Sequence, residues 1–283
     1  MEWWYSLLEW LPFEWAQPGT MLFMKNALLA ILVISPLFGL LSTMVVESRM
    51  SFFSDALGHS AFTGMAIGTL LNSTVEPLWC AVLFALAFSL LFTWVSHRSG
   101  MANDTVIGVF SSTAVALGIF IATLGGRSFS KFNALLIGDI LSVEPGKIAL
   151  LAGILGLAAV LWVVSYNQLM LSCVHPALAS SRGVRVFWQE AAFSAAIAVV
   201  VTVSMTWVGL LVINSLLVLP GAAARNVSRS VRQYHLFSLL AAILSGVAGL
   251  LLSYHLGASA GACITLCLAL WFALSFLLRR QRG

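Results

Sequence analysis

Charged residues are scarce in this sequence. Only 8% of its 283 residues are charged and 60% are hydrophobic, whereas a soluble domain carries about 25% charged residues. A soluble fold could not cover its surface with so few polar groups, but lipid requires an apolar exterior. The composition therefore excludes a soluble domain. It predicts an all-α, polytopic membrane bundle in which residues 1–283 form a single transmembrane domain.

Several chemical motifs are also missing. There is no P-loop, so this chain does not bind ATP by that route, and there is no HExxH metalloprotease motif. The four cysteines form no CxxC pair, and we interpret them as inert thiols. The net charge of +4 comes from basic residues in short loops between apolar spans. Membrane orientation explains such residues better than nucleic acid binding does. We therefore expect no enzyme activity and no nucleic acid partner.

The apolar runs are long enough to cross a bilayer, which takes about 20 helical residues. Nine spans are predicted, at 20–46, 52–71, 77–96, 105–125, 147–171, 187–208, 209–224, 236–254 and 260–278. The seventh is short, and we expect a half-helix that breaks at Pro220 and Gly221. The stretch 128–145 is too polar for a span and is expected to form a short re-entrant or surface helix.

The first residues, 1–19, do not resemble a signal peptide, because they lack a basic start and contain three glutamates. Their five tryptophan and tyrosine side chains are typical of a segment at the lipid–water interface.

Lysine and arginine residues predict the orientation, because they concentrate in cytoplasmic loops. With the N-terminus outside and nine alternating spans, the cytoplasmic segments contain Arg49, Arg98, Arg182, Arg185, Arg225, Arg229, Arg232, Arg279, Arg280 and Arg282. The outer segments contain Lys25, Arg127, Lys131 and Lys147. This bias predicts an outer N-terminus and a cytoplasmic C-terminus.

Most of the ten acidic residues lie in loops or at span ends, and one is the exception. An aspartate at the centre of a membrane helix costs about 2.5–3.5 kcal/mol. The exception is Asp55, and His59 follows four residues later on the same helix face, with the two β-carbons about 6 Å apart. A carboxylate and an imidazole suit Mn²⁺, Zn²⁺ or Fe²⁺. The alternative is a structural pair that holds two helices together, and the spacing alone leaves both readings open.

Small residues follow the same helix in a second column that includes Ser60, Gly64 and Gly68. The two glycines match the GxxxG pattern, which lets another helix backbone approach closely. We therefore predict that Ser60, Gly64 and Gly68 pack this helix tightly at the centre of the bundle.

Two further polar positions are candidates. His255 lies among small and polar residues that suggest a helix break, where backbone carbonyls can line an ion path. It is either a residue of that path or a plain surface histidine. Asn214 interrupts an apolar run, and we interpret it first as a hydrogen-bonding contact between helices.

The stretch SRMSFFSDALGHSAFTGMAIG, at 48–68, resembles the ABC permease family that imports zinc, manganese and iron(II). The resemblance extends from about residue 20 to the C-terminus, and further matching pieces lie at 104–119, 135–143 and 210–225. It implies that Asp55 and His59 belong to the metal path. The family's Ser-Tyr-x-x-Asp-x-Pro-x-Gly segment falls on 253–261, where the aspartate and the proline are absent. His255 is a candidate substitute ligand there.

The resemblance also implies a cytoplasmic coupling segment at 172–186, which docks on an ATPase subunit. Its implied contact residues are His175, Pro176, Ala177, Leu178, Ala179, Arg182, Gly183 and Val184. The family usually has an acid in place of His175. The alternative is an ordinary basic loop.

The implied function is the permease subunit of an ATP-driven ABC importer in the bacterial cytoplasmic membrane. The divalent metal ion would be its transported substrate, and no cofactor would be bound permanently. The implied partners are an ABC ATPase subunit, a periplasmic or surface metal-binding protein, a second permease chain (identical or a paralogue) and membrane lipid. Two rival hypotheses are a proton-coupled secondary metal transporter without an ATPase, in which Asp55 and His59 relay protons, and a membrane metalloenzyme.

Overall fold

The computed structural model describes residues 4–6, 15, 17, 21–70, 76–124 and 140–280. A 3₁₀ turn, Ile140–Ser142, precedes the fifth helix. The helices are α1 (Leu22–Glu47), α2 (Phe53–Leu70), α3 (Pro77–Ser99), α4 (Asn103–Leu124), α5 (Pro145–Val174), α6 (Pro176–Ser181), α7 (Val186–Val208), α8 (Leu210–Val227), α9 (Val231–Leu256) and α10 (Ala260–Arg280).

Each of the nine predicted spans coincides with one long helix. Eight of these helices are long and apolar enough to cross a membrane. The exception is α2, which has 18 residues and contains Asp55, His59 and several small side chains. Most of its side chains are buried by the other helices, so its polar residues are shielded from lipid by protein on most sides. The prediction of an all-helical membrane bundle is confirmed.

The helices alternate in direction, as their contacts demonstrate. Along α1, Gly39 accepts a hydrogen bond from Ser238 of α9, and Thr43 one turn further contacts His235, so α1 and α9 are antiparallel. The end of α1 pairs with the end of α8, where Glu47 lies 3.7 Å from Arg225, so these two helices are parallel. The end of α10 lies beside the end of α8 as well, because Asn226 donates to Ser275.

Because the helices alternate in direction, described arginines lie together at one end of the bundle, which we call the basic end. It contains Arg49, Arg98, Arg182, Arg185, Arg225, Arg229, Arg232 and Arg279. Lys25 and Lys147 lie near the opposite end, in the first turns of α1 and α5. The short helix α6 connects α5 to α7 at the basic end.

Helix α8 continues through Pro220 and Gly221 to Val227, so the prediction of a half-helix broken at this pair is wrong. Proline removes one N–H donor from the helix ladder. The N–H of Gly221 instead donates to the Ser42 hydroxyl of α1 at 2.8 Å, and that hydroxyl donates to the Val218 carbonyl at 3.3 Å. A β-carbon on Gly221 would lie 2.7 Å from the Ser42 carbonyl oxygen. The close contact with α1 therefore supplies hydrogen bonds at the proline and keeps α8 continuous.

The turn between α7 and α8 is buried. It consists of Gly209, whose φ of 93° favours glycine, and its neighbours Val208 and Leu210 are 2% and 5% exposed. At 1.5 Å per residue, Ser42 lies about 30 Å from the start of α1, whereas its partner Val218 lies only about 12 Å from the start of α8. The α7–α8 turn therefore lies inside the bundle, and the start of α8 reaches the side of α2.

Two sequence expectations fall mostly outside the described residues. Of the interfacial segment 1–19, the structure describes residues 4–6, 15 and 17, and there Trp4 and Trp15 are buried. Trp4 donates to the carbonyl of Lys25 at 3.0 Å. Of the stretch 128–145, only the 3₁₀ turn and the approach to α5 are described.

Candidate functional site

Asp55, His59 and Asn214 form one polar cluster between α2 and α8. His59 Nε2 lies 3.4 Å from Asp55 Oδ2 along α2. Asn214 Nδ2 donates to the other carboxylate oxygen, Asp55 Oδ1, at 3.1 Å. The amide oxygen of Asn214 is buried and has no hydrogen-bond partner among the described residues. The predicted interhelical hydrogen bond of Asn214 is confirmed, and its partner is the acid that the sequence singles out.

The local sequence explains how the cluster forms. Arg49 has a φ of 55° in the turn after α1, and α2 begins four residues later. Asp55 therefore occupies the first turn of α2, where the helix dipole favours an acid. One turn further, Gly58 leaves room for the Leu210 side chain. A β-carbon added at Gly58 would lie 2.4 Å from Leu210 Cδ1. This contact seats the start of α8 against α2 and places Asn214 opposite Asp55.

The cluster faces an open side of the single chain. The Asp55 side chain is 46% exposed and that of His59 is 27% exposed. Helix α8 presents Leu211 and Asn214 on the same side, because residues three apart share a helix face. A charged side chain in contact with lipid is costly. This side of the chain is therefore suited to contact with water or with another protein surface rather than with acyl chains.

The small-residue column of α2 packs against α3. A β-carbon on Gly64 would lie 2.7 Å from Ala81 Cα and 2.8 Å from the Cys80 carbonyl oxygen, so α3 approaches the α2 backbone directly. A β-carbon on Gly68 would lie 3.0 Å from the Cys80 side chain. Ser60 is fully buried and donates to the Leu57 carbonyl of its own helix. On the other side, Thr63 donates to the Ala114 carbonyl of α4 at 2.7 Å. These contacts fix α2 from two directions.

His255 is not part of this cluster within one chain. It lies at the exposed end of α9, where its ring is hydrogen-bonded to the Leu251 carbonyl at 2.9 Å. Gly257, which has a φ of 64°, ends α9, and α10 begins at Ala260. The segment is a short turn between two long helices, so the prediction of a helix break is wrong. Among the residues that the structure describes, no three His, Cys, Asp or Glu side chains converge on a possible metal position. One chain therefore offers one carboxylate, one imidazole and the amide oxygen of Asn214.

A polar cavity of about 590 Å³ opens at the basic end, bounded by α1, α3, α5, α7 and α8. Both of its acids are paired: Glu47 with Arg225 at 3.7 Å, and Glu190 with His97 at 3.9 Å. Cys173 lies beside them, and its Sγ is 3.1 Å from the Ser48 hydroxyl. Both acids thus have basic partners, and among the described residues no group of three possible metal ligands lies in this cavity.

The expected coupling segment forms the short helix α6 and the turn that follows it. Leu178 is exposed, whereas Ala179 is fully buried and anchors the helix on the bundle. Gly183 has a φ of 78° and nothing within 4 Å of an added β-carbon. The segment therefore exposes apolar side chains, Leu178 and Ala177 among them, at the basic end.

A protein-family model, described as the ABC 3 transport family, matches residues 20–279. The chain belongs to this family. An uncharacterized membrane protein of Synechocystis sp. is 33% identical over 259 residues, 91% of each chain. The high-affinity zinc uptake system membrane protein ZnuB of Haemophilus influenzae is 29% identical, over 90% of this chain and 97% of that one. The manganese import system permease protein ScaB of Streptococcus parasanguinis is also 29% identical, over 90% of both.

A solved structure shares the fold. PsaBC from Streptococcus pneumoniae, determined in complex with Fab, superposes with a TM-score of 0.76 at 25% sequence identity. The match covers 98% of this chain and 95% of that one. The resemblance that the sequence motifs indicate is therefore confirmed at the level of the family and of the fold.

Proposed function

We propose that this chain is the membrane permease subunit of an ATP-driven importer of a divalent metal ion, Zn²⁺ or Mn²⁺. The observation that carries the proposal is the Asp55–His59–Asn214 cluster, exposed on one side of a central helix in a member of the ABC 3 transport family. Relatives in that family are named for zinc and manganese uptake. Imidazole and carboxylate groups are ligands for both ions.

The ligand set suits transient rather than permanent binding. Asp55 and His59 are two strong ligands, whereas a structural zinc site uses four. A second permease chain related by two-fold symmetry would supply the same pair again, because a symmetric interface presents the same patch twice. The ion would then lie between the two chains. A transported ion must bind weakly enough to leave, and ligands divided between two movable chains meet that requirement.

The chain has no nucleotide-binding motif of its own, so ATP would be hydrolysed by a separate ATPase subunit. The segment at 175–184 would be the contact with that subunit. The basic end would be cytoplasmic, because arginines concentrate there. A metal-binding protein would deliver the ion from the opposite, outer end.

The direct test replaces the two strong ligands one at a time. Asp55→Asn and His59→Ala are expected to reduce metal uptake by cells to background while the permease is still made and still assembles with its ATPase. Asp104→Asn and His255→Ala are the matched controls, since Asp104 is exposed in the first turn of α4 and His255 is exposed at the end of α9. Uptake of radioactive zinc and manganese is the measurement.

Normal uptake in both cluster variants would refute the site. Loss of uptake in His255→Ala, with its assembly unchanged, would instead add that histidine to the path.

The coupling proposal has its own test. Gly183→Asp introduces a side chain at a φ of 78°, where non-glycine residues are strained, and it adds an acid to a basic turn. We expect the variant permease to lose co-purification with the ATPase, while Ser181→Asp, on the last turn of α6, measures the effect of the added charge alone. Undiminished co-purification and ATPase stimulation in Gly183→Asp would contradict this assignment.

A further inference from the structure

A second, separate pocket lies at the basic end, between α5 and the start of α7. Its volume is about 400 Å³, and its lining includes Arg182, Arg185, Trp188, Gln168 and Gln189. No acid lines it. Within the described residues, neither arginine has a carboxylate oxygen within 4.0 Å. Two unpaired guanidinium groups beside one pocket favour a phosphate, which arginine can bind through two parallel hydrogen bonds.

The aromatic side chain in this pocket indicates its depth in the membrane. Trp188 is the third residue of α7 and is 63% exposed. Tryptophan is enriched at the level of the lipid headgroups, where its ring is half in the apolar layer and its N–H faces water. Gln189 donates to Gln168 across the two helices, and the Gln189 side-chain oxygen is buried without a partner among the described residues. The pocket thus combines basic, aromatic and free polar groups at headgroup level.

A small apolar crevice of about 50 Å³ begins about one turn further along the same two helices, and Leu41 of α1 contributes to its lining. Its walls are Leu161 and Leu169 of α5 and Ala192, Phe193 and Ala196 of α7. A polar pocket at the membrane surface with an apolar crevice directly beneath it matches a molecule that has an anionic head and a hydrocarbon tail.

We propose that this is a binding site for an anionic phospholipid of the cytoplasmic leaflet. The phosphate would lie between Arg182 and Arg185, and one acyl chain would follow the crevice between α5 and α7. A soluble acidic protein could contact the arginines, but it would leave the crevice empty. The site rests on the proposed orientation, with the basic end cytoplasmic, but not on the identity of the transported ion.

The location gives such a lipid a role. Arg182 and Arg185 flank Gly183, the turn that we propose to contact the ATPase. A lipid bound to both arginines would hold this turn against α7. The amount of anionic lipid in the membrane would then affect how strongly the permease and the ATPase are coupled.

The test measures lipid retention on the full-length permease, purified and delipidated in neutral detergent, by native mass spectrometry. Four probes are compared: dioleoyl phosphatidylglycerol, dioleoyl phosphatidylcholine, glycerophosphoglycerol without acyl chains, and inorganic phosphate. We expect selective retention of phosphatidylglycerol. The double variant R182Q/R185Q should bind it about 30-fold less tightly, because each arginine near an anionic headgroup contributes a several-fold factor. R229Q/R232Q removes the same charge from exposed positions at the same end of the bundle and should change retention little.

Two outcomes would overturn the lipid site: equal losses in both double variants, or equal retention of phosphatidylcholine. Binding of glycerophosphoglycerol or inorganic phosphate as tightly as the full lipid would assign the pocket to a free anion instead. The variant A192L fills the crevice and should weaken phosphatidylglycerol binding, whereas A273L, on the exposed side of α10, should not. Because no readout involves transport, failure here leaves the metal-uptake proposal to its own test.

Discussion

Asn214 is the residue on which the candidate site depends most. The Asp55–His59 pair lies within one helix, and such a pair by itself could be a purely structural contact. The amide of Asn214 comes from α8 and holds one carboxylate oxygen of Asp55 at 3.1 Å. The other carboxylate oxygen lies 3.4 Å from His59 Nε2, and the amide oxygen of Asn214 has no hydrogen-bond partner in the part of the chain that the structure describes. A buried acceptor of this kind beside an acid and an imidazole could bind a cation. A purely structural contact would be expected to use that acceptor in a hydrogen bond.

This interpretation predicts the effect of Asn214→Leu, which keeps the number and branching of the side-chain heavy atoms but removes both polar atoms. A hydrogen bond to a charged group contributes about 1.5–3 kcal/mol, so the affinity for the transported ion should fall by about ten-fold or more. The concentration dependence of metal uptake measures this change. In the double variant Asn214→Leu with Asp55→Asn, the two losses should not add, because they act on one interaction. Additive losses would place Asn214 outside the site.

At the scale of the element, α2 is the long helix whose composition falls short of that of a membrane span, and the other helices bury most of its side chains. Its glycine column allows α3 to approach its backbone, and Thr63 bonds it to α4. The cluster at its first turn is therefore carried by a helix whose position is fixed by contacts further along. Ion ligands need such support, because a displacement of about 1 Å at a site can abolish its function.

Gly64→Ala tests this support. The added β-carbon would lie 2.7 Å from Ala81 Cα, a backbone atom that cannot rotate away. Overpacking of this kind typically costs about 1–3 kcal/mol, so the thermal unfolding temperature of the purified permease should fall and metal uptake should fall with it. Gly108→Ala on α4 is the matched control, because nothing lies within 4 Å of its added β-carbon. Equal melting temperatures for the two variants would mean that α3 is not packed as described.

At the scale of the whole molecule, the open side of the chain determines how it assembles. Asp55 and His59 are too exposed for a lipid-facing position, and Leu211 and Asn214 continue the same face on α8. In the proposed dimer, a second permease chain would cover this face, shield the charges and bring two copies of the Asp55–His59 pair together. Helix α5, by contrast, packs on α1, α6 and α7 and exposes a purely apolar stripe.

Cross-linking distinguishes the two faces. In a variant without native cysteines, Leu211→Cys, on the open side and 45% exposed, should join two permease chains when a bismaleimide reagent is added to membranes. Val164→Cys on α5, which is 74% exposed, should remain monomeric under the same conditions. Dimers formed through Val164 but not through Leu211 would move the interface to the other face and leave Asp55 without a partner chain.

The sequence by itself determined the membrane class and the nine long helices of the described residues, and it singled out the second helix as the candidate carrier of the metal site. These follow from composition, from 20-residue apolar lengths and from the scarcity of charge, and all three are local properties of the chain. A local pattern also led to an error at Pro220, because the hydrogen bonds that keep α8 continuous there come from Ser42, far away in the sequence.

Only the tertiary structure decided which residues meet. Because the turn at Gly209 is buried, the start of α8 lies beside the first turns of α2, and Asn214 reaches Asp55. His255 lies elsewhere, at the exposed end of α9. Hydrophobic periodicity cannot reveal the axial position of one helix against another. That position is set by side-chain contacts such as Gly58 against Leu210, which exist only once the helices are packed.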